Sequence, residues 1–363
     1  MTRVAVVGSS PQLLVSAIRR ARAGASVVVF EGRDRPGGAW TVTDFAGYER
    51  VEVACHLLER DADGYRVLRE LGVSLAPMDP QPRTVLRPGL SRPYTSPVTA
   101  TAQLAFYPVA RTLHRTELTP GAWRRRRRLA MRELVDAVTD RSPVLGLVGG
   151  AGDLVDRLVA TAEATDVEFR LLTKVDRVAV DRGETVVEAD GALEVFDEVI
   201  LSAAFDPGAL VVDGHPTTGP VRRRSYAHRL LAMPAASITP HSYLRFPRDP
   251  VLQRCSDVTH AAVAAAPEAD AALLLVSVRC DDDGTPLHDT DETLARLRRH
   301  GVIGAGEPSA QRLFRYQGRD GAATLRAAAG PASPVVVLDS FGDLTRALAA
   351  TPAGAVAPTG AHA

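Results

Sequence analysis

The sequence predicts an α/β fold built on a parallel sheet, with a second α+β region inserted into it. An apolar run at residues 4–7 ends at Gly8, a helical stretch follows at residues 13–22, and residues 26–30 (SVVVF) form a second apolar run. A continuous β-branched run is typical of a buried parallel strand. The order strand, helix, strand is a βαβ unit, whose first turn and second strand end are suited to bind a nucleotide.

Further apolar patterns predict the remaining elements. We expect helices at 64–71, about 98–140, 149–164, 291–300 and about 343–350, and strands at 167–172, 185–188, 198–203, 241–246, 273–279 and 334–339. The nucleotide-binding domain is expected to combine residues 1–60, 140–205 and 333–352, and the inserted domain residues 61–139 and 206–332. Alternating polarity in residues 206–332, the second segment of the inserted domain, predicts an antiparallel sheet. Residues 353–363 have no pattern and are predicted to be disordered.

Composition limits the possible partners. The formal net charge of the 363 residues is zero, so no overall charge attracts nucleic acid. No apolar run is long enough to span a membrane, and the first residues lack an export signal, so a cytoplasmic location is expected. The three cysteines form no metal-binding pattern, and no metal site is predicted. An arginine run at 124–128 is either a solvated helix face or an anion-binding patch.

Glu31 lies at the end of the second apolar run, close to the spacing of about 20 residues after the first turn at which a ribose-binding carboxylate is expected. A nicotinamide cofactor or a flavin would satisfy this pattern equally well. The residues that follow, EGRDRPGGAW at 31–40, add an arginine and a glycine pair after the carboxylate. This segment resembles the signature of the FAD-dependent amine oxidase superfamily. That superfamily includes phytoene desaturases, protoporphyrinogen oxidases and, more distantly, UDP-galactopyranose mutases.

The resemblance implies a Rossmann-like FAD/NAD(P)-binding domain with an inserted α+β substrate (cap) domain, and it implies FAD as the cofactor. Glu31 would hold the adenosine ribose, and Arg33 with Gly37 and Gly38 would line the pyrophosphate and flavin side. Residues 149–154 and 174–178 resemble two further family segments, and Val175 would contact the adenine. The implied cofactor-binding residues are Gly8, Ser9, Ser10, Pro11, Gln12, Glu31, Gly32, Arg33, Gly37, Gly38, Ala39, Trp40, Val175 and Asp339.

The chain also departs from the family pattern. The first turn, GxGxxG in the family, keeps only Gly8 and has Ser10 and Leu13 at the other glycine positions. Ala39 stands where the family has an arginine, and Asp339 follows a leucine instead of a glycine. Because the second glycine lets the backbone approach the pyrophosphate, two interpretations remain open. Either a modified site still binds FAD, or the fold persists without its cofactor.

Three residues are candidates for the chemistry. By the resemblance, His56 lies in the stretch that passes beside the flavin, where it could act as acid, base or hydrogen-bond partner. Tyr243 and Tyr316 are expected on strands of the cap, where they could form an aromatic wall around a substrate. The alternatives are a structural, partly buried histidine and surface-facing aromatic residues on an amphipathic sheet.

The predicted function is an FAD-dependent oxidoreductase that oxidises a C–N or C–C bond of a small-molecule substrate by hydride transfer, in the biosynthesis of specialised metabolites. One alternative is an isomerase, cyclase or mutase without net redox chemistry. The other is a non-catalytic protein that has lost FAD. The sequence names neither the substrate nor the oligomeric state.

Overall fold

The structure is a computed structural model. This structure describes residues 1–53, 58–59, 68–94, 144–181, 184–264, 271–330 and 333–338. The predicted segments 98–140, 343–350 and 353–363, with the arginine run at 124–128, lie outside these residues. Of the helix expected at 64–71, only the last part is described, and residues 68–70 are helical.

Besides the helical residues 68–70, the described part of the chain contains four α-helices and 23 strands. The helices are α1 (Pro11–Arg22), α2 (Gly150–Glu163), α3 (Thr290–Arg299) and α4 (Ala322–Ala329). The strands are β1 (Arg3–Val7), β2 (Ser26–Phe30), β3 (Val42–Phe45), β4 (Tyr48–Glu52), β5 (Leu58–Glu59), β6 (Leu75–Pro77), β7 (Arg83–Arg87), β8 (Leu90–Pro93), β9 (Val144–Leu147), β10 (Glu168–Arg170), β11 (Val175–Asp181), β12 (Glu184–Ala189), β13 (Ala192–Phe196), β14 (Glu198–Ser202), β15 (Leu210–Val212), β16 (His215–Pro216), β17 (Arg222–Pro234), β18 (Tyr243–Arg245), β19 (Leu252–Asp257), β20 (Val263–Ala264), β21 (Ala271–Val278), β22 (Ala310–Asp320) and β23 (Val335–Leu338).

A five-stranded parallel sheet in the order β10-β2-β1-β14-β23 forms the centre of the nucleotide-binding region. Alternate residues of β1 pack to opposite sides, as the period of two in a strand requires. Val4 and Val6 contact α1 and α2, whereas Ala5 faces a second sheet, β13-β12-β11-β15-β16, and α4. The parallel sheet therefore lies between two apolar layers, which explains why its strands are continuously apolar.

The expected βαβ unit is confirmed, with β2 at the predicted residues and α1 beginning at Pro11, two residues earlier than predicted. Pro11 fits the first helical position because its missing N–H has no partner in the helix. Leu13 replaces the third glycine of the turn, and its side chain is 1% exposed. It packs in the core beside Gly8, where an added Cβ would lie 3.1 Å from Leu13 Cδ1.

A seven-stranded sheet in the order β22-β17-β21-β19-β18-β7-β8 forms the inserted region. Its pairs are antiparallel, as predicted, except that β18 and β7 run parallel. One face packs on α3 through an apolar cluster. The other, called the inner face below, packs at one end on the β3–β4 hairpin through Leu230, Phe45 and Tyr48.

The sequence did not predict every element of this sheet. Strands β7 and β8, at one edge, and the long strand β17 were not predicted, and β22 was expected only as a strand that carries Tyr316. Helix α4, also not predicted, packs under the parallel sheet through Leu325. Among the described helices, none has both the length and the apolar character needed to cross a membrane.

The packing of Leu13 predicts a large cost for its truncation. Leu13→Ala is expected to lower the free energy of unfolding by about 2–5 kcal/mol, since it removes a fully buried side chain and leaves a cavity. Leu193→Ala is the control, because Leu193 is 69% exposed on β13 and its truncation should change stability by less than about 0.5 kcal/mol. Urea unfolding measures both, and equal stabilities for the two variants would contradict the described packing.

Candidate nucleotide and substrate site

The first turn, at residues 8–11, leads from β1 into the N-terminus of α1. Gly8 follows β1 with φ of +98°, a value that favours glycine, and its N–H donates to Phe30 O at 2.8 Å. Ser10 is the N-cap residue in an extended conformation, and Pro11 begins the helix. The orphan N–H groups and positive end of the helix dipole make such a turn an anion-binding position.

Ser9 and Glu31 are joined by a buried hydrogen bond from the serine Oγ to Glu31 Oε2. Both residues are buried. The other carboxylate oxygen accepts the Arg33 N–H at 3.0 Å, and Ser9 Oγ accepts the Gly37 N–H at 3.0 Å. These bonds tie the first turn, the end of β2 and the glycine pair to one another. Four of the residues predicted at the cofactor site, Ser9, Glu31, Arg33 and Gly37, are therefore brought together.

Gly38 lies directly against Ser10. Its φ is +59°, and an added Cβ would lie 3.2 Å from Ser10 Cβ, so only glycine fits here without displacement. The Arg33 guanidinium holds the same loop by donating from Nη1 to Gly38 O at 2.8 Å. In contrast, Ser10 Oγ is buried and has no hydrogen-bond partner in the part of the chain that the structure describes.

The remaining predicted cofactor residues surround this cluster or lie outside it. Val175 begins β11 and is buried, two residues after Thr173, whose N–H donates to Glu31 O at 2.9 Å. Gln12 lies half-buried in the first turn of α1, and Trp40 packs half-buried on the core. Exposed positions are occupied by Gly32 and Ala39. Asp339 and His56 lie outside the described residues, so their roles stay predictions.

Tyr316 connects the inserted sheet to the nucleotide-binding loop. Its hydroxyl hydrogen-bonds with the Thr41 side chain, and Arg33 lies close enough to act on it electrostatically. Burial is the main cause that raises the pKa of Tyr316 above its usual value. Tyr316 therefore stays protonated at neutral pH, as a hydrogen-bond donor or acceptor beside the loop.

Tyr243 does not lie beside Tyr316, although both residues are on the inner face of the sheet. Four strand spacings separate β18 from β22, which corresponds to roughly 19 Å at about 4.8 Å per spacing. Tyr243 is buried and meets Tyr94 edge to face, with ring centroids 5.6 Å apart. The two tyrosines predicted as one aromatic wall are thus at separate places on the face.

His228, which sequence reasoning missed, lies between Tyr226 and Tyr316. Its ring stacks parallel to Tyr226 at 6.3 Å between centroids and lies 5.5 Å from Tyr316. Burial, with the nearby Arg254 charge, lowers the pKa of His228 to about 4, so the imidazole is neutral near pH 7. The alternation along β17, which places Tyr226, His228 and Leu230 on one face of the strand, was the signal that could have identified it.

Ser277 links His228 to Arg254. The serine Oγ lies 2.8 Å from His228 Nδ1 and accepts a hydrogen bond from Arg254 Nε at 3.0 Å. With Thr41 and Tyr316, these contacts form a continuous layer of polar and aromatic side chains that begins at the nucleotide-binding loop and runs across the inner face.

Glu52 is a second residue that the sequence analysis missed. It ends β4, is buried, and its Oε1 accepts the Ala151 N–H at 2.5 Å at the start of α2. Only glycine fits at position 150, beside Glu52, because an added Cβ would lie 2.8 Å from Glu52 Oε1 and the φ of Gly150 is +75°. Burial raises the pKa of Glu52 to about 7, although the backbone hydrogen bond acts in the opposite direction. The alternation in VEVAC, with a carboxylate at a core-facing position, was the available signal.

Comparison with known proteins confirms the resemblance. Residues 14–142 match the model of the family described as flavin containing amine oxidoreductase. The chain has an amine oxidase fold. The match of a family of oxidoreductases supports the predicted enzyme class, and a comparison with curated proteins found no match.

Solved structures agree at the level of the fold. An oxidoreductase from Methanosarcina mazei is 16% identical, with a TM-score of 0.62 and 94% of each chain covered. Cyclohexylamine oxidase from Brevibacterium oxydans IH-35A is 14% identical, with a TM-score of 0.61 and again 94% of each chain covered. A CLA-producing fatty acid isomerase from P. acnes is 10% identical, with a TM-score of 0.60, and 95% of this chain and 96% of that chain are covered.

Substitution by alanine is expected to have different effects on stability at the two serines of the first turn. Ser9→Ala is expected to lower the free energy of unfolding by about 1–3 kcal/mol, because it removes a buried hydrogen bond to a carboxylate and one of the two acceptors of the Gly37 N–H, which keeps only Ser9 O at 3.1 Å. Ser10→Ala removes a hydroxyl without a partner and should change stability by less than about 0.5 kcal/mol. Chemical denaturation compares the two, and an equal loss in both variants would argue against the Ser9–Glu31 bond.

The raised pKa of Glu52 predicts a pH-dependent effect of Glu52→Gln. The native state keeps the proton between the unfolded pKa of about 4.5 and the native pKa of about 7. The stability contributed by that proton is complete below about pH 4.5 and is lost as the pH rises through 7. Glutamine resembles the protonated form of the side chain. Above pH 7 the free energy of unfolding of the variant should therefore exceed that of the natural protein by up to about 3 kcal/mol, and near pH 4.5 the two should be equal.

Thermal unfolding at pH 4.5, 6 and 8 measures the effect of this substitution. Glu49→Gln is the matched control, since Glu49 is exposed on the same strand and should show no pH-dependent difference. A gain for Glu52→Gln that is constant with pH would show that burial does not raise the pKa of Glu52 in the native state.

Proposed function

We propose that the chain binds FAD at the N-terminus of α1 and acts as an FAD-dependent oxidoreductase on a small-molecule substrate, with oxidation of a C–N or C–C bond. The observation that carries this proposal is the cluster of Ser9, Glu31, Arg33 and Gly37, which holds the turn, the carboxylate and the glycine pair together. The match with the flavin containing amine oxidoreductase family supports it.

The phosphate side of the proposed site fits the cofactor. Ser10 Oγ is a buried polar atom without a partner among the described residues, and it lies at a helix N-terminus. A pyrophosphate oxygen could accept its hydrogen bond, which would remove the cost of an unpaired buried hydroxyl. Gly38 leaves the space beside Ser10 free of a side chain. Ser10 would thus replace one of the hydrogen bonds to phosphate that family members obtain from an arginine, where this chain has Ala39.

The ribose side also fits, with a modification. Glu31 already accepts hydrogen bonds from Ser9 and from the Arg33 N–H. A carboxylate offers about four lone-pair sites, so ribose hydroxyls could still donate to the remaining two. The internal bonds hold the carboxylate in place before the cofactor binds, which lowers the conformational cost of binding.

Bound FAD would supply the acceptor for a hydride from the substrate. In this proposal the chain's own residues bind and orient. Arg33 holds the loop through Gly38, Tyr316 closes the loop against the inner face through Thr41, and the neutral His228 offers a hydrogen bond without a charge. His56 keeps its predicted role beside the flavin, and Tyr243 a role in the cap. We propose the same division into domains, with 1–60, 140–205 and 333–352 carrying the cofactor.

A second candidate is chemistry without net redox change. The fold shared with a fatty acid isomerase favours keeping it, since proteins of one fold can carry out different reactions. An isomerase of this kind would use the same cofactor site and the same inner face.

The visible spectrum of the protein after incubation with FAD and gel filtration tests the cofactor proposal. Flavin absorption is expected to stay with the natural protein. Glu31→Gln should weaken FAD binding about 10- to 100-fold, because a neutral amide makes weaker hydrogen bonds to ribose hydroxyls. Glu184→Gln, an exposed residue on β12, is the control, and circular dichroism checks that each variant is folded. A protein that remains colourless after incubation with FAD would contradict both the oxidoreductase and the flavin-containing isomerase.

Anaerobic titration separates the two candidates. Bleaching of the flavin by a substrate, without oxygen, would support the oxidoreductase. Turnover with an unbleached flavin would support the isomerase and contradict the oxidoreductase.

A further inference from the structure

One row of residues crosses the inner face of the seven-stranded sheet and becomes strongly basic toward one edge. Directly paired residues of neighbouring strands lie on the same face. The row, from β22 to β8, is Phe314, His228, Ser277, Arg254, Arg245, Thr84 and Arg92. The arginine row, Arg254 with Arg245 and Arg92, thus adjoins the aromatic layer of His228, Tyr226 and Tyr316.

Arg254 has a fixed position and unused donors. Its Nε donates to Ser277 Oγ at 3.0 Å, which holds the guanidinium about one strand spacing from His228. In the described part of the chain, no carboxylate lies within ion-pair distance of Arg254 or Arg245, and no acceptor contacts their remaining N–H groups. A guanidinium stays charged in proteins, so a half-buried one without a counterion carries a desolvation cost.

The shape of the unused group indicates its partner. With Nε bound to Ser277, the Nη1–Nη2 edge of Arg254 remains, and this edge matches two oxygens of a carboxylate or phosphate. His228 is neutral near pH 7, so Arg254 does not compete with a second positive charge on that side for the carboxylate. Between Arg254 and the loop at Thr41, the face is covered by the rings of His228, Tyr226 and Tyr316, which suit a planar apolar body.

We propose that the inner face binds a substrate with a planar or aromatic body and a carboxylate, whose acid end pairs with Arg254 and Arg245 and whose other end points to the nucleotide-binding loop. This assignment rests on the proposed function, for which it names the substrate class. The Arg254 guanidinium lies about one strand spacing from His228, and the His228 ring lies 5.5 Å from Tyr316, so a ligand of roughly 10 Å reaches from the acid end to the loop.

Saturation-transfer NMR on the purified protein tests this binding directly. The probes are 3-phenylpropanoate, its neutral amide and inorganic phosphate. The acid is expected to bind at least tenfold more tightly than the amide, and Arg254→Ala and Arg245→Ala should each weaken binding of the acid at least tenfold. Arg254→Lys should recover part of the affinity, since it keeps the charge and loses the two-pronged geometry.

Arg248→Ala is the matched control, because Arg248 is an exposed arginine outside the row. Its affinity for the acid should equal that of the natural protein. Arg245 is exposed, so its variant keeps the test valid if Arg254→Ala fails to fold. Equal binding of acid and amide, unchanged binding in both row variants, or binding of phosphate with none of the acid would each overturn the proposal.

The measurement uses no flavin signal, so its result is independent of the cofactor proposal. The flavin content of the same samples is read from their spectra. Acid binding by a colourless protein would support the arginine row while the proposed redox function fails, and a yellow protein without acid binding would give the opposite result.

Discussion

The buried hydrogen bond between Ser9 and Glu31 determines the geometry of the nucleotide-binding region. It connects the first turn to the end of β2, and Ser9 also holds the glycine pair through the Gly37 N–H. A buried polar side chain that loses its hydrogen bonds has a large desolvation cost, so the three segments are constrained together. Arg33 and Thr41 lie on the loop that this bond positions, and the contact between the loop and Tyr316 depends on it.

The second constraint is the register of the seven-stranded sheet. Strands from residues 83–93, 222–278 and 310–320 meet in one sheet, and their pairing aligns side chains that are far apart in the chain. Shifting any strand by one residue would move its polar side chains to the face that packs on α3. The aromatic layer and the arginine row are therefore products of register, and the apolar cluster on α3 maintains that register.

The fold could be predicted from the sequence further than the site. Residues 26–30 were identifiable because a continuous β-branched run has few alternatives, and Glu31 followed from its place after that run. The bond between Glu31 and Ser9 was not predictable, since the direction of the serine side chain depends on the backbone of the turn. Tyr316 was expected on a strand of the inserted region, and it lies on β22, but its contact with Thr41 depends on long-range packing and was not predictable. Arg245 and Arg254 were identifiable as polar residues on strands, but the arginine row could not be assembled from the sequence, because nothing in the chain order places residue 92 in one row with residues 245 and 254.

Ser10 and Leu13, which replace two glycines of the family turn, differ in how easily they could revert. Ser10 makes no hydrogen bond among the described residues, and an N-cap serine replaced by glycine costs only a few tenths of a kcal/mol. Leu13 has become part of the core, so a return to glycine would pass through a destabilised protein. The stability of the fold therefore leaves position 10 open to glycine, where only the proposed phosphate contact would be lost, whereas at position 13 it selects against glycine.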